Sequence, residues 1–316
     1  MYYLGIDLGG TNIAAGVVDQ DHRIIARAKR KTSVPCKPLE ICEQLAVTAQ
    51  EALAAAELGM GDIPYVGVGT PGTVNRDSGV VEYSNNLFFE NLELQKLLSD
   101  RLKKDVILEN DANAAAFGEF RAGALKGAKN AIAITLGTGI GSGIIIGGKI
   151  YAGSNFAGGE IGHMVIAAGG KLCTCGRRGC WEAYASATGL IAMTREAMQK
   201  DKSSLLWNIA GTPEQADGRS AFEAMRAGDK TGKEVVGQYI FYLSCGVANC
   251  INIFQPDILC IGGGISNEGE FLMEPLRKAV AAENYARNTR RKTVLCKAQL
   301  GNDAGILGAA LLGTDS

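Results

Sequence analysis

The sequence predicts an α/β protein of two lobes, on three observations. A strand, glycine-turn, strand pattern occurs twice, strands alternate with helices between the copies, and the chain is 316 residues long. That length exceeds one average domain and buries enough core to leave a deep cleft between lobes. In the repeat, Ile134-Thr135-Leu136-Gly137-Thr138-Gly139 matches Ile6-Asp7-Leu8-Gly9-Gly10-Thr11, and Ile144-Ile145-Ile146 matches Gly16-Val17-Val18. Such internal similarity reads as a duplicated fold unit.

Taken in order, residues 2–29 predict three short strands in a meander, separated by Gly9-Gly10-Thr11-Asn12 and Asp19-Gln20-Asp21. A helix is expected from Pro38 to about Leu58, with Ile41, Leu45, Ala49, Ala52, Leu53 and Ala56 at helical spacing and Gly59 stopping it. Residues 65–70 return to strand. Val106 to Glu109 predicts a buried strand, and Asn110-Asp111 leads into an Ala-rich helix from Ala112 to about Arg121. A long amphipathic helix is expected over 233–254, ended by Pro256-Asp257, followed by a strand over 258–261 that runs into Gly262-Gly263-Gly264. A small-residue helix over about 303–312 closes the chain. We expect the boundary near residue 115: a first lobe over 1–115, with the segment 301–316 packing back onto it, and a larger second lobe over 116–300.

The net charge of -1, from 32 basic and 33 acidic residues, gives no field favouring nucleic acid or membrane surfaces. No apolar run approaches membrane-spanning length, and no basic leader opens the chain. Of the nine cysteines, Cys36, Cys42, Cys245, Cys250, Cys260 and Cys296 are scattered among aliphatic residues, as reduced core thiols are, so a cytoplasmic location is expected.

Three strands end in glycine clusters: Gly9-Gly10-Thr11, Gly137-Thr138-Gly139 and Gly262-Gly263-Gly264. Without Cβ atoms such turns let backbone N–H groups converge on phosphate oxygens, although glycine also simply permits tight hairpins. Two equivalent turns facing each other across a cleft would grip a polyphosphate, which favours nucleotide binding. No GxxxxGK[ST] is present, and the segment after Gly139 continues as strand where a dinucleotide fingerprint needs a helix. Asp7 has Thr135 as its counterpart, so one carboxylate enters there, suited to holding Mg²⁺ through water.

The most specific signal is His163 followed by Cys173, Cys175 and Cys180. Three thiolates and one imidazole complete a structural tetrahedral zinc set. A disulfide is the competing reading, against which stands the reduced use of the other cysteines. Glu160 and Glu182 flank the set, where metal binding would fix them as acceptors for a polyhydroxylated ligand.

These residues resemble the ROK group of bacterial-type sugar kinases and sugar-sensing repressors, within the hexokinase–actin ATPase superfamily. The motifs are Asp7-Leu8-Gly9-Gly10-Thr11, Glu109-Asn110-Asp111-Ala112-Asn113-Ala114, Leu136-Gly137-Thr138-Gly139-Ile140-Gly141, Gly159-Glu160-Ile161-Gly162-His163 and the cysteine run, and the resemblance spans nearly the whole chain. It implies two actin-like (ribonuclease-H-like) lobes with ATP and sugar in the interlobe cleft and a structural zinc loop. It makes Asp111 the catalytic base and gives sugar contacts to Gly72, Asn86, Asn110, Asp111, Glu160, His163 and Glu182. It gives nucleotide contacts, with Mg²⁺, to Asp7, Gly9, Gly10, Thr11, Asn12, Gly137, Thr138, Gly139, Gly263 and Gly264. His163 would offer one ring nitrogen to zinc and the other to a sugar hydroxyl. The segment Ser84-Asn85-Asn86-Leu87-Phe88-Phe89 departs from the shorter run ending in Trp that similar glucokinases show.

The implied activity is ATP-dependent phosphorylation of a hexose at its 6-hydroxyl, glucose first, with N-acetylmannosamine or N-acetylglucosamine as the alternative substrates. The implied assembly is a homo-oligomer, dimer or tetramer. A sugar-sensing regulator would carry a DNA-binding segment in front of the first strand, whereas here that strand is expected from Tyr2.

Overall fold

A computed structural model describes residues 1–33, 35 and 37–314. Cys36, one of the scattered thiols, and Asp315 and Ser316, at the end of the expected terminal segment, lie outside the described residues. The chain forms two compact units: Met1–Ala133 with Gly143–Gly159 and Gln299–Ser316, and Ile134–Ser142 with Glu160–Ala298.

The first part of the chain gives strands β1 (Tyr3–Leu8), β2 (Asn12–Val18) and β3 (Ile24–Lys31), then helix α1 (Pro38–Ala55). It continues with β4 (Val66–Thr70), β5 (Thr73–Asn75), β6 (Val80–Ser84), β7 (Phe89–Leu92), α2 (Leu94–Leu102), β8 (Val106–Asn110) and α3 (Asp111–Ala122). Next come β9 (Ala131–Leu136), β10 (Ile140–Ile146), β11 (Lys149–Ile150), α4 (Glu182–Ala185), α5 (Ala187–Lys200), α6 (Leu206–Ala210) and α7 (Ser220–Arg226). The last elements are α8 (Lys230–Phe254), β12 (Ile258–Gly262), α9 (Glu270–Glu283), β13 (Val294–Lys297) and α10 (Ala304–Leu311). Helix α3 runs without a break through position 115 and lies whole in the first unit.

The duplication is visible in the sheets. One has the order β3-β2-β1-β4-β8 and the other β11-β10-β9-β12-β13. In the first, the short turn after Leu8 makes β1 and β2 antiparallel, whereas the crossover through α1 brings β4 back parallel to β1, and β8 continues parallel. In the second, β10 and β11 are antiparallel and β12 and β13 parallel. A small sheet, β5-β6-β7, fills the segment between β4 and α2.

Helix α1 forms because Ile41, Leu45, Ala49, Ala52 and Leu53 share its buried face, with Pro38 in its first turn and the Glu40 carboxylate accepting from the Lys37 N–H at 3.1 Å. It ends a few residues before Gly59, because Glu57 turns left-handed (φ 58°) and the Leu58 N–H closes onto the Leu53 carbonyl at 3.0 Å. The long helix α8 starts at Lys230, ahead of the expected start, because the Asp229 carboxylate caps the Gly232 N–H at 2.8 Å.

Alternation along β1 sends Leu4, Ile6 and Leu8 into the core that also buries the apolar face of α1. The opposite face is almost bare. Gly16, Gly5 and Gly67 stand side by side in register across β2, β1 and β4. Helix α10 lies directly on this row: a Cβ on Gly5 would run into the Ile306 carbonyl, and one on Gly67 into the Ala309 carbonyl. Gly308 does the same against α3, where its Cβ would overlap the Ala114 carbonyl oxygen. Replacing Gly308 with Ala is therefore expected to cost about 3 kcal/mol, since two backbones would have to separate. An unchanged urea midpoint for that variant would contradict this packing.

Candidate active site and cysteine cluster

In the first unit the parallel strands β1, β4 and β8 end together, with Asp7 opposite Gly69 and Thr70 opposite Asn110 in the register. Open α/β sheets present ligand sites outside the carboxyl ends of such strands. Asn110 caps α3: its side-chain oxygen accepts from the Asn113 N–H at 3.1 Å, and its amide donates to the Gly72 carbonyl at 3.1 Å. Asp111 is thereby set on the first residue of the helix, at the positive end of its dipole. Gly72 sits at φ 110°, and a Cβ there would overlap the Tyr83 carbonyl, so only glycine fits the bend after Pro71.

The Gly9–Asn12 turn is closed by the Gly9 N–H to the Asn12 carbonyl at 2.9 Å and braced by the Thr32 hydroxyl donating to the Gly9 carbonyl at 2.7 Å. Asn86 lies against this turn, its Cβ 3.7 Å from where a Gly10 Cβ would be. Thr11 is exposed. The unit thus gathers Asp7, the glycine turn, Gly72, Asn86, Asn110 and Asp111.

Burial, with the neighbouring Asp111 carboxylate adding to it, pushes the Asp7 carboxyl up to about 6. A raised acid pKa stabilises the fold below the unfolded value of 3.8, and that contribution is lost as pH rises through 6. At neutral pH the ionised Asp7 therefore costs the ligand-free fold at most about 3 kcal/mol. Asp7→Asn is expected to raise the urea midpoint at pH 7.5, with a gain that shrinks as pH falls through 6 and disappears below 3.8. A gain independent of pH would show that the carboxylate's charge is not its source.

In the second unit the Gly137 N–H donates to the Gly139 carbonyl at 3.0 Å, and the Thr188 hydroxyl holds the Thr138 carbonyl at 2.7 Å. Gly263, at φ 82°, packs its backbone onto Leu136, immediately before that turn, so the second and third glycine clusters are neighbours. Thr188 had no motif to announce it. The Glu182 carboxylate accepts from the Ile140 N–H at 2.9 Å and reaches the Thr174 hydroxyl at 3.4 Å, linking the glycine turn to the cysteine loop. Glu160 is exposed and opens the short turn Ile161–His163, its carbonyl accepting from the His163 N–H at 3.1 Å.

One ligand atom from each of His163, Cys173, Cys175 and Cys180 lies within 4.8 Å of the others. The Cys175 and Cys180 sulfurs are 3.7 Å apart, and Cys173 Sγ is 3.7 Å from His163 Nδ1. Ligands about 2.3 Å from one tetrahedral zinc stand about 3.8 Å apart, so the set fits the ion. Nδ1 is the ring nitrogen that faces Cys173 Sγ. Burial, reinforced by the neighbouring thiols, pushes the Cys180 thiol up to about 12, and a bound cation is what ionises such a group. The loop is anchored by Trp181, wholly buried, whose indole N–H donates to the Tyr242 carbonyl of α8 at 2.9 Å and whose ring fills the space over Gly246.

Duplicated sheets of mixed direction, a carboxylate pair at the carboxyl ends of one set of strands and a Cys₃His cluster in the other unit define a two-unit α/β protein with a loop whose donors fit a metal ion. The chain belongs to the ROK family, whose model matches residues 3–316. It is 40% identical over 309 residues to a glucokinase of Thermotoga maritima, covering 97% of this chain and 95% of that protein. A glucokinase of Streptomyces coelicolor is 37% identical over 310 residues, covering 97% and 96%. Among solved structures, a ROK family glucokinase from Streptomyces griseus in complex with glucose and AMPPNP matches with a TM-score of 0.82 at 34% identity, covering all of both chains. No helix among the described residues is long and apolar enough to cross a membrane.

Proposed function

We propose that this chain is a glucokinase that transfers the γ-phosphoryl group of ATP to the 6-hydroxyl of glucose, with Asp111 as general base. The observation that carries the reading is the placement of Asp111 on the first turn of α3, at the carboxyl end of β8, beside an Asn110 side chain bonded to Gly72. Its similarity to glucokinases over nearly the whole chain supports the substrate. A base there takes the proton from the sugar hydroxyl as its oxygen bonds to phosphorus and ADP departs. In the first unit Gly72, Asn86 and Asn110 are the residues we assign to sugar contact, and in the second unit Glu160, His163 and Glu182. The glycine turns, with Asp7 and Asn12, receive the nucleotide. Mg²⁺ supplies charge neutralisation on the phosphates when bound. Zinc on His163, Cys173, Cys175 and Cys180 supplies geometry, fixing the imidazole and the loop next to Glu182.

The test is ATP consumption measured across glucose, mannose, fructose, N-acetylglucosamine and N-acetylmannosamine. The highest kcat/KM is expected for glucose. A maximum on either N-acetylated sugar would overturn the substrate, and no turnover with any sugar would overturn the kinase reading.

A further inference from the structure

Glu109 is a buried charged residue next to the carboxyl end of β8, and the proposed chemistry has not used it. Its side chain is 2% exposed, and it accepts three hydrogen bonds. One oxygen takes the main-chain N–H of Asn110 at 2.8 Å and the side-chain amide of Asn113 at 3.0 Å. The other takes Arg76 Nη1 at 2.8 Å. Asn113 is itself bonded through its N–H to the Asn110 side chain at 3.1 Å, so Glu109, Asn110 and Asn113 form a closed set of bonds around the peptide that precedes Asp111.

Arg76 follows directly on β5, the strand that begins just after Gly72. Two links therefore join the same two segments: Asn110 to the Gly72 carbonyl, and Glu109 to Arg76. The ion pair lines a cavity of about 340 Å³ together with Ile107, Phe117, Lys149 and Leu312, so the pair sits at the edge of solvent with a second cation on the same wall. An ion pair with one partner buried is a poor way to stabilise a strand, because apolar residues of similar volume do as well or better. What the pair adds is a tie: one charge-assisted Nη1–Oε2 bond at 2.8 Å joins the strand before Asp111 to the segment after β5.

We infer that Glu109 is a positioning residue for phosphoryl transfer, holding the Asn110–Asp111 junction in register with the Gly72 segment through its ion pair with Arg76. The inference rests on the role given to Asp111 above. Misplacing a base by about 1 Å costs about 100-fold in rate. Loosening one of two links costs less, about 10- to 30-fold, and the cost falls on kcat because nucleotide contacts lie elsewhere.

The experiment compares wild type, Arg76→Gln, Arg76→Lys and Glu109→Gln with glucose and ATP, each rate normalised to the nucleotide-binding fraction of the preparation. We expect Arg76→Gln and Glu109→Gln to lower kcat by about 10- to 30-fold with the KM for ATP within about twofold. Arg76→Lys keeps the cation and a donor but on a shorter, differently shaped head, and is expected to recover part of the loss. Wild-type kcat in Arg76→Gln, a loss fully accounted for by the unfolded fraction, or no recovery in Arg76→Lys would each overturn the inference. Should Glu109→Gln fail to fold, Arg76→Gln decides alone, since that side chain is 36% exposed. Absence of turnover in wild type would overturn the base assignment and this inference together, whereas wild-type turnover with unaffected variants would remove the inference alone.

Discussion

Asp111→Asn is expected to lower kcat by about 1,000-fold while leaving the KM for ATP within about threefold, because general-base assistance is worth roughly 10² to 10⁴. Asn is close to Asp in volume and lacks only the proton-accepting charge, so the fold should survive the change. Asn110, not Asp111, provides the helix cap, which accepts from the Asn113 N–H at 3.1 Å. Stability should even rise slightly at neutral pH. The Asp111 charge is one of the two causes that raise the Asp7 carboxyl, so its removal lets Asp7 ionise at lower pH and at lower cost. A coupled assay with glucose reads the first effect and urea unfolding at pH 7.5 the second. Turnover within tenfold of wild type would mean that another group takes the proton.

Cys180→Ser is expected to abolish tight zinc binding and to raise the KM for glucose about 10- to 100-fold, with a smaller effect on the KM for ATP. The sulfur it removes is fully buried and 3.7 Å from Cys175 Sγ, so a hydroxyl in its place leaves the tetrahedron one ligand short. Without the ion only weak sulfur contacts, such as Cys173 Sγ to His163 Nδ1 at 3.7 Å, hold the four side chains together, and the loop beside the Glu182 carboxylate loosens. Because structural zinc contributes about 10–16 kcal/mol of binding free energy in small sites, local melting of 163–180 should accompany the loss. Elemental analysis of the purified protein together with sugar kinetics tests this. A zinc-free wild type, or a Cys180→Ser variant with unchanged sugar KM, would remove the ion from the account.

The opening meander, α1, β4, β8, α3, α8 and β12 were all legible as elements, because each is set by short-range periodicity and by turn or cap residues next to it in the chain. Their ends moved where a local bond outbid composition. Glu57 ended α1 before Gly59 was reached, and Asp229 started α8 earlier than its apolar stripe suggests. The segment between β4 and α2, which folds as a three-stranded sheet, carried too little alternation to be read. Residues 187–226, which form α5, α6 and α7, gave no motif either.

For the site, residue type and spacing alone pointed to the cluster of His163, Cys173, Cys175 and Cys180, whose ligand atoms the fold brings within 4.8 Å of one another, since those four residues are close in sequence. The likeness of the two glycine turns, and the acid leading into α3, were also written locally. Only the tertiary structure decided what lies against them. Glycines 5, 16 and 67 are unremarkable along the chain, yet their register across three strands makes the bed for α10, more than 200 residues later. Glu109 reads as one more polar residue before Asn110 until Arg76 is found on it. Asp7 reads from the sequence as a carboxylate suited to holding Mg²⁺ through water, but its pKa of about 6 comes from burial and from Asp111. The division has one physical cause. Covalent neighbours and helical or strand periods are fixed by the backbone, whereas a pKa, a close backbone approach or a buried ion pair depends on which distant atoms exclude water from a group.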